Sequence, residues 1–151
     1  MQTSFHKILL AAALGCCLSL AAQAQVKPVR TYMAQSPEGE FSVFSSITKY
    51  LAAGDAAALS SWFADNLDVT VISSTRSCSK AQARQILRTF FNSYTPRSFE
   101  VTHKASEANK KYLIGLLNAG GELFQVTIYA TSSAGETYRI QQLSISRQTS
   151  Y

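Results

Sequence analysis

The chain has 151 residues, and its 14 lysines and arginines against nine aspartates and glutamates give a formal net charge of +5. This excess is too small to indicate a nucleic-acid-binding surface, and we expect no nucleic-acid partner. No apolar run after the first 24 residues approaches the roughly 20 residues that a membrane-spanning helix needs, so we expect no membrane span. The length fits one domain of ordinary size with its own core.

The first residues have the order of a secretory signal peptide. A short, mildly basic start is followed by the apolar run ILLAAALGCCLSLAA at residues 8–22 and by the small residues at 22–24. We therefore expect residues 1–24 to be a signal peptide cleaved before Gln25, and the mature protein to be periplasmic or secreted. A lipid anchor at Cys16 is the less favoured alternative, because ALGC resembles a lipobox but is followed by more apolar residues.

Cysteine and histidine content limits the chemistry. Cleavage would leave Cys78 as the single cysteine, which excludes an intrachain disulfide, and we expect it to be a small buried apolar residue. His6 would be removed, leaving His103. One cysteine, one histidine and no suitably spaced carboxylate pair predict no metal site and no cofactor. The G-x-S-x-G sequence of a serine hydrolase is also missing.

The domain is expected to begin with two helices. Residues 25–37 carry two prolines and no periodicity, and we interpret them as a flexible lead-in to a single domain at residues 38–148. Gly54 should end the first helix, and Asp55 should cap the second, DAAALSSWF. The apolar face of the first helix consists of Phe41, Phe44, Ile47 and Leu51.

A strand, a loop and a third helix should follow. LDVTVI at residues 67–72 alternates and is rich in β-branched residues, which predicts a strand, whereas SSTRSC at 73–78 is interpreted as a loop. Ser79 and Gln82 form a capping-box pattern at the start of the third helix. The apolar positions of this helix are Ala83, Ile86, Leu87, Phe90 and Phe91.

The remaining chain predicts four strands. These are RSFEVTHKAS, KKYLIGLLN, ELFQVTIYATS and TYRIQQLSISR, and their short glycine-bearing connections favour antiparallel pairing. The predicted fold is therefore α+β, with three N-terminal helices packed on a curved antiparallel sheet. Helices wrapped on the concave face of a bent sheet would make a cone with a cavity at its open end.

This order of elements resembles the nuclear transport factor 2-like, or cystatin-like, fold. A more specific resemblance is to an exported bacterial family, domain of unknown function 4783. It rests on CSKAQARQILRTFFNSYTPRSFEVTHKAS, KYLIGLL and YRIQQLSI, which occur in the family's order and span roughly residues 40–147. The resemblance implies a pocket but no particular reaction, because the wider fold carries isomerases, dehydratases, binding modules and scaffolds.

His103 and Asp68 are the candidate general bases. On an alternating strand His103 would share a face with Phe99 and Val101, beside an apolar pocket, where burial would keep the imidazole neutral and suited to accept a proton. Asp68 is a strand carboxylate of the kind that ketosteroid isomerase-like members of this fold use as a base. The structural alternatives, a polar residue at the sheet rim and a solvent-facing carboxylate, are favoured for both.

Two further sets of residues are candidates for binding. Lys80, Arg84 and Arg88 recur every four residues along the third helix, which predicts either an anion-binding stripe or, as we prefer, a solvated helix face. The candidates to line a ligand pocket are His103, Tyr112, Tyr129, Phe90 and Trp62.

These observations support three hypotheses. The leading one is an exported, non-catalytic domain that binds a small apolar or amphipathic ligand or another protein through a cone-shaped apolar pocket. The second is an isomerase-like or dehydratase-like enzyme with His103 or Asp68 as its base. The third is a structural homodimer through the sheet, because LFQVTIYA places Phe124, Val126 and Ile128 on one side and half-apolar residues on the other.

Overall fold

The computed structural model of the protein describes residues 39, 41–133 and 137–149. The predicted signal peptide, the lead-in, His6 and Cys16 lie outside the described residues. The elements in chain order are α1 (Ser42–Ala53), α2 (Ala56–Ser60), β1 (Phe63–Val71), β2 (Ser74–Ser79), α3 (Lys80–Ser93), β3 (Pro96–Glu107), β4 (Lys110–Ala119), β5 (Glu122–Thr131) and β6 (Arg139–Arg147).

The end of the first helix and the start of the second lie where local signals place them. Gly54 follows α1 with φ 68°, a left-handed conformation that glycine adopts at low cost. Asp55 caps α2, because its carboxylate accepts a hydrogen bond from the Ala58 backbone N–H at 2.8 Å. The second helix is shorter than predicted. Phe63, the last residue of the predicted helix segment DAAALSSWF, begins β1 instead and is buried.

The third helix is anchored at its start by the predicted capping box. The Ser79 side chain accepts a hydrogen bond from the Gln82 backbone, and the Gln82 side chain accepts one from the Ser79 backbone. One side of the helix is buried through Ala83, Leu87, Phe90 and Phe91, and Ile86 is half-buried. The predicted apolar face of α3 is confirmed.

The strands form one curved, open sheet in the order β2-β1-β6-β5-β4-β3. The predicted antiparallel pairing of β3, β4, β5 and β6 is confirmed. However, β1 pairs with β6 in parallel, so the sheet is mixed rather than wholly antiparallel. A parallel pair joins strands that are distant in the sequence, and no local pattern indicates it.

The prediction of a loop at SSTRSC is wrong, because residues Ser74–Ser79 form an edge strand that pairs with β1. Only Ile72 and Ser73 lie between the two strands. Arg76 is opposite Val69 in this hairpin, and directly opposite residues share a face of the sheet. The strand escaped prediction because it has no apolar alternation and its turn lacks the usual glycine or asparagine.

The sheet has two unlike faces. The inner face joins the helices in the core, and α1 contacts β3 and β4 while α3 contacts β1 and β2. The inner face is buried through Leu113, Leu117, Phe124, Val126, Ile128, Leu143 and Ile145. The outer face carries half-buried or exposed residues, which include Tyr112, Ile114, Leu116, Leu123 and Tyr129.

A β-bulge reverses the alternation of β3. Val101 lies opposite Gly115 on the inner face, but the register shifts by the next pair, and His103 lies opposite Ile114 on the outer face. Thr102 is the extra residue, and its hydroxyl donates to the Ile114 carbonyl at 3.2 Å. The prediction that His103 shares a face with Phe99 and Val101 is therefore wrong.

Candidate functional site

An apolar cleft of about 400 Å³ lies between α3 and the β1–β2 hairpin. We call it the α3 cleft. Its volume falls within the range of about 300–1,000 Å³ that is typical of small-molecule sites. The floor is made of Val69, Val71, Ile86 and Phe90, and the polar rim of Ser74, Arg76, Gln85 and Thr89.

The local sequence explains why the α3 cleft has one apolar and one polar side. The inner positions of β1 carry valines, whereas the facing positions of β2 carry Ser74 and Arg76. Across the cleft, Phe90 of α3 is buried, while Gln85 and Thr89 are exposed. The Thr89 hydroxyl donates to the Gln85 carbonyl at 3.0 Å. A ligand in this position would meet apolar side chains below and hydrogen-bonding groups at the edge.

The mouth of the cleft contains a strained residue. Ile72 in the hairpin turn has φ 60°, a conformation that β-branched residues rarely adopt. Its backbone N–H donates to the Ile145 carbonyl at 2.6 Å, which extends the pairing of β1 with β6. The Ile72 side chain lines the cleft and is 38% exposed. The turn thus holds a large apolar side chain at the opening at a cost in backbone strain.

A second hollow of about 280 Å³ adjoins the cleft. It shares Arg76, Gln85 and Ile86 with the cleft and adds Cys78. Burial raises the pKa of the half-buried Cys78 thiol, the Asp68 carboxylate raises that pKa further, and the Arg76 guanidinium opposes both effects. The thiol is therefore a weak nucleophile at neutral pH.

Arg76 is the cation of the cleft. It is exposed, it lines both hollows, and its side chain makes no hydrogen bond or ion pair with any residue that the structure describes. An ion pair joins Arg147 to Glu122 at 3.2 Å elsewhere on the sheet. Arg76 is therefore available to a ligand.

The two candidate bases lie outside the cleft. His103 is exposed on the outer face, where its Nε2 atom is 2.9 Å from the Tyr112 hydroxyl. Asp68 is exposed on the outer side of β1 and accepts a hydrogen bond from the Ser77 hydroxyl. Each of the two side chains is thus hydrogen-bonded to a residue of the adjacent strand on the outer face.

The other predicted pocket residues are divided between the two faces. Phe90 lines the α3 cleft, and its ring packs edge-on against Phe124 at a centroid distance of 5.1 Å. Tyr112 and Tyr129 lie on the outer face with ring centroids 5.8 Å apart. Trp62 is partly buried against the core and does not line the cleft. One of the five predicted pocket residues is thus placed in the cleft.

Two of the three basic residues of α3 lie beside a smaller hollow. Lys80 and Arg84 line a space of about 240 Å³ together with Ser60 and Ala81. Arg84 and Arg88 are exposed, and none of the three basic side chains pairs with a carboxylate in the described part of the chain. The stripe is thus a positively charged face of α3, and two of its members border this hollow.

Sequence reasoning missed the polar rim of the cleft. The sequence predicts a loop at Ser74 and Arg76, and it gives no signal that singles out Gln85 or Thr89. The available signal was the lone arginine in a polar stretch directly after a β-branched strand. It becomes informative only when the stretch is paired with that strand.

Within the described residues, no group of three or more histidine, cysteine, aspartate or glutamate side chains is arranged to hold a metal ion. None of the helices that the structure describes has both the length and the apolar character needed to cross a membrane.

A family model described as "Domain of unknown function (DUF4783)" matches residues 44–146. The chain belongs to this family. A DUF4783 protein from Bacteroides uniformis is 20% identical, with a TM-score of 0.67 over 70% of this chain and 97% of that one. A cystatin-like domain of unknown function from Nostoc punctiforme is 10% identical, with a TM-score of 0.58 over 75% of this chain and 77% of that one.

A chain whose name includes NTF2 is 13% identical, with a TM-score of 0.58 over 72% of this DUF4783 chain and 96% of its own. Among the curated proteins, none matches. At these identities the structural likenesses establish the fold, which is α+β with nuclear transport factor 2-like and cystatin-like neighbours. They carry no activity over to this DUF4783 protein.

Proposed function

We propose that this DUF4783 protein is an exported, non-catalytic domain that binds a small apolar or amphipathic ligand in the α3 cleft. In this proposal the three helices and the curved sheet make a cone, and the cleft is its opening. The observation that carries the proposal is the apolar floor of Val69, Val71, Ile86 and Phe90 in a space of about 400 Å³.

Binding is favoured over catalysis by the positions of the candidate bases. An isomerase or dehydratase of the kind suggested by the fold needs a proton acceptor within reach of the bound substrate. His103 and Asp68 lie on the outer side of the sheet, away from the cleft. A potential nucleophile beside the cleft is the Cys78 thiol, but burial raises its pKa and so favours the unreactive protonated form.

Export is proposed from the order of residues 1–24, which is that of a signal peptide ending before Gln25. When the full coding sequence is expressed in an exporting host, the mass of the denatured protein should equal that of a chain that begins at Gln25. A mass equal to that of a chain that begins at an acylated Cys16 would instead support the lipid anchor. Retention of Met1 would contradict export by either route.

The same sample tests the ligand. Native mass spectrometry should find an added mass that disappears when the protein is denatured. Thr89→Trp should abolish the added mass, because the indole would fill the cleft from an exposed position of α3. Asn92→Trp is the matched control, since residue 92 is exposed on the same helix and does not line the cleft. A wild-type chain that carries nothing and takes up no apolar probe would refute the proposal.

A homodimer through the outer face is the second candidate. It is favoured by Leu123 and Tyr129, which are 46% and 45% exposed on that face, beside half-buried Ile114 and Leu116. Light scattering would then give twice the chain mass, and the double variant Leu123→Glu, Tyr129→Glu should be monomeric. A wild-type monomer at high concentration would exclude this assembly.

A further inference from the structure

We infer that the ligand of the α3 cleft is an apolar carboxylate, whose aliphatic or aromatic body lies on the valine and phenylalanine floor while Arg76 binds its carboxylate. This inference rests on the proposed function and specifies the chemical class of the ligand. It is carried by the position of Arg76, by the absence of a countercharge on the cleft walls, and by the hydrogen-bonding groups beside the arginine.

Arg76 is held at the boundary between the apolar floor and water. Its pairing with Val69 places it on the inner side of the hairpin, facing α3. Its side chain lines the cleft and the adjoining hollow and has no hydrogen-bond or ion-pair partner among the described residues. A guanidinium in this position can turn toward a ligand without breaking a contact within the protein.

Arg76 is the single charged residue among those that line the cleft. The residues from Ser74 to Ser93, which form β2 and α3, include four basic side chains and no acidic one. Asp68 of the neighbouring strand lies on the outer side, where it accepts a hydrogen bond from Ser77. An anion that enters the cleft therefore meets the Arg76 guanidinium and no carboxylate among the residues that line the cleft.

The shape and chemistry of the site favour a carboxylate with an apolar body over a free inorganic anion. Arginine binds a carboxylate through two parallel hydrogen bonds, which fixes the direction of the ligand. Gln85 and Ser74 stand on the same rim and can donate to the remaining lone pairs. The apolar floor would contribute nothing to the binding of inorganic phosphate, whereas it would remove the body of an apolar acid from water.

The test compares 2-naphthoate with 2-naphthamide, which have nearly the same shape and differ in charge. Calorimetric titration of the wild-type chain should show that the acid binds more tightly by about tenfold or more, the usual gain of a charged hydrogen-bonded pair. Arg76→Gln should reduce the affinity for the acid to that for the amide and leave the amide unchanged. Arg88→Gln removes the same charge from an exposed position of α3 outside the cleft and should change neither.

The outcomes separate this inference from the proposed function. Equal affinity for the two probes, or an Arg76→Gln variant that still prefers the acid, overturns the carboxylate assignment and leaves an apolar binding cleft. Binding of neither probe overturns both. Retention of acid binding in Thr89→Trp places the site elsewhere and also overturns both. Competition by inorganic phosphate at concentrations comparable to the acid would show that the apolar body is not recognised, against the inference.

Discussion

The Nε2 atom of His103 lies 2.9 Å from the hydroxyl of Tyr112, and both side chains are on the outer face of the sheet. The ring centroids of His103 and Tyr112 are 5.4 Å apart, and those of Tyr112 and Tyr129 are 5.8 Å apart. The bulge at Thr102 creates this row, because without it His103 would point toward the helices. A residue that looked like a pocket base is thus part of an exposed ring cluster.

Breaking the bond between His103 and Tyr112 should have little effect. An exposed hydrogen bond contributes at most about 1 kcal/mol to the free energy of unfolding, since water replaces the lost partner. Tyr112→Phe is therefore expected to lower that free energy by less than about 1 kcal/mol in urea unfolding. Neither Tyr112→Phe nor His103→Ala should alter the binding of 2-naphthoate. Loss of binding in either variant would show that the outer face contributes to the site.

The ring of Phe99 occupies the space that a Cβ atom at residue 115 would need, which explains the glycine at this position. A Cβ atom at residue 115 would lie 2.4 Å from Phe99 Cζ and 2.6 Å from the Glu100 carbonyl oxygen. Gly115→Ala should therefore lower the free energy of unfolding by about 1–3 kcal/mol, the usual cost of overpacking. Gly39→Ala is the control, because nothing lies within 4 Å of a Cβ built there. Equal stability of the two variants would mean that β3 can move away from β4 at little cost.

A substitution at Ala108 is expected to stabilise the fold, in contrast to Gly115→Ala. It connects β3 to β4 with φ 47°, where a Cβ atom is unfavourable and glycine is not. Ala108→Gly should raise the free energy of unfolding by up to about 1 kcal/mol. Ala81→Gly, at an exposed position of α3, should lower it by about 0.5–1 kcal/mol through lost helix propensity. Thermal unfolding of the pair distinguishes turn strain from a general effect of glycine, which would shift both in the same direction.

The features that could be predicted from the sequence are those with local causes. Gly54 and Asp55 mark a helix end and a helix start through their own backbone and side-chain chemistry, and the Ser79–Gln82 capping box involves four consecutive residues. The buried side of β5 follows from simple alternation. Each signal lies within a single element, so tertiary contacts do not have to be known.

The cleft could not be predicted because its parts depend on how strands pair, which the sequence of a single strand does not reveal. β2 is polar throughout, and its role as a strand becomes evident only opposite β1. The position of β1 depends on the parallel pairing with β6, more than 60 residues later. The bulge at Thr102 is likewise a property of the β3–β4 register. Arg76 was overlooked and His103 was assigned to the wrong face for this common reason.

Cys78 should report on the electrostatics of the cleft. Because burial and Asp68 raise the pKa of the thiol, iodoacetamide should modify it more slowly in the folded chain than in urea at neutral pH. Asp68→Asn should accelerate the reaction. Arg76→Gln should slow it, since that cation lowers the pKa. Peptide mass spectrometry would measure the rates, and identical rates in the two variants would contradict the assigned causes.

The same shift predicts how stability depends on pH. A thiol whose pKa is raised by folding holds its proton more tightly in the folded state, so its contribution is complete below the unfolded pKa and is lost as pH rises through the folded one. The free energy of unfolding should therefore fall in this alkaline range, and Cys78→Ser should reduce the slope.

Occupation of the cleft by 2-naphthoate should slow the alkylation of Cys78 further, because the carboxylate neutralises Arg76. Unchanged alkylation in the presence of bound acid would mean that the acid is not held beside this arginine.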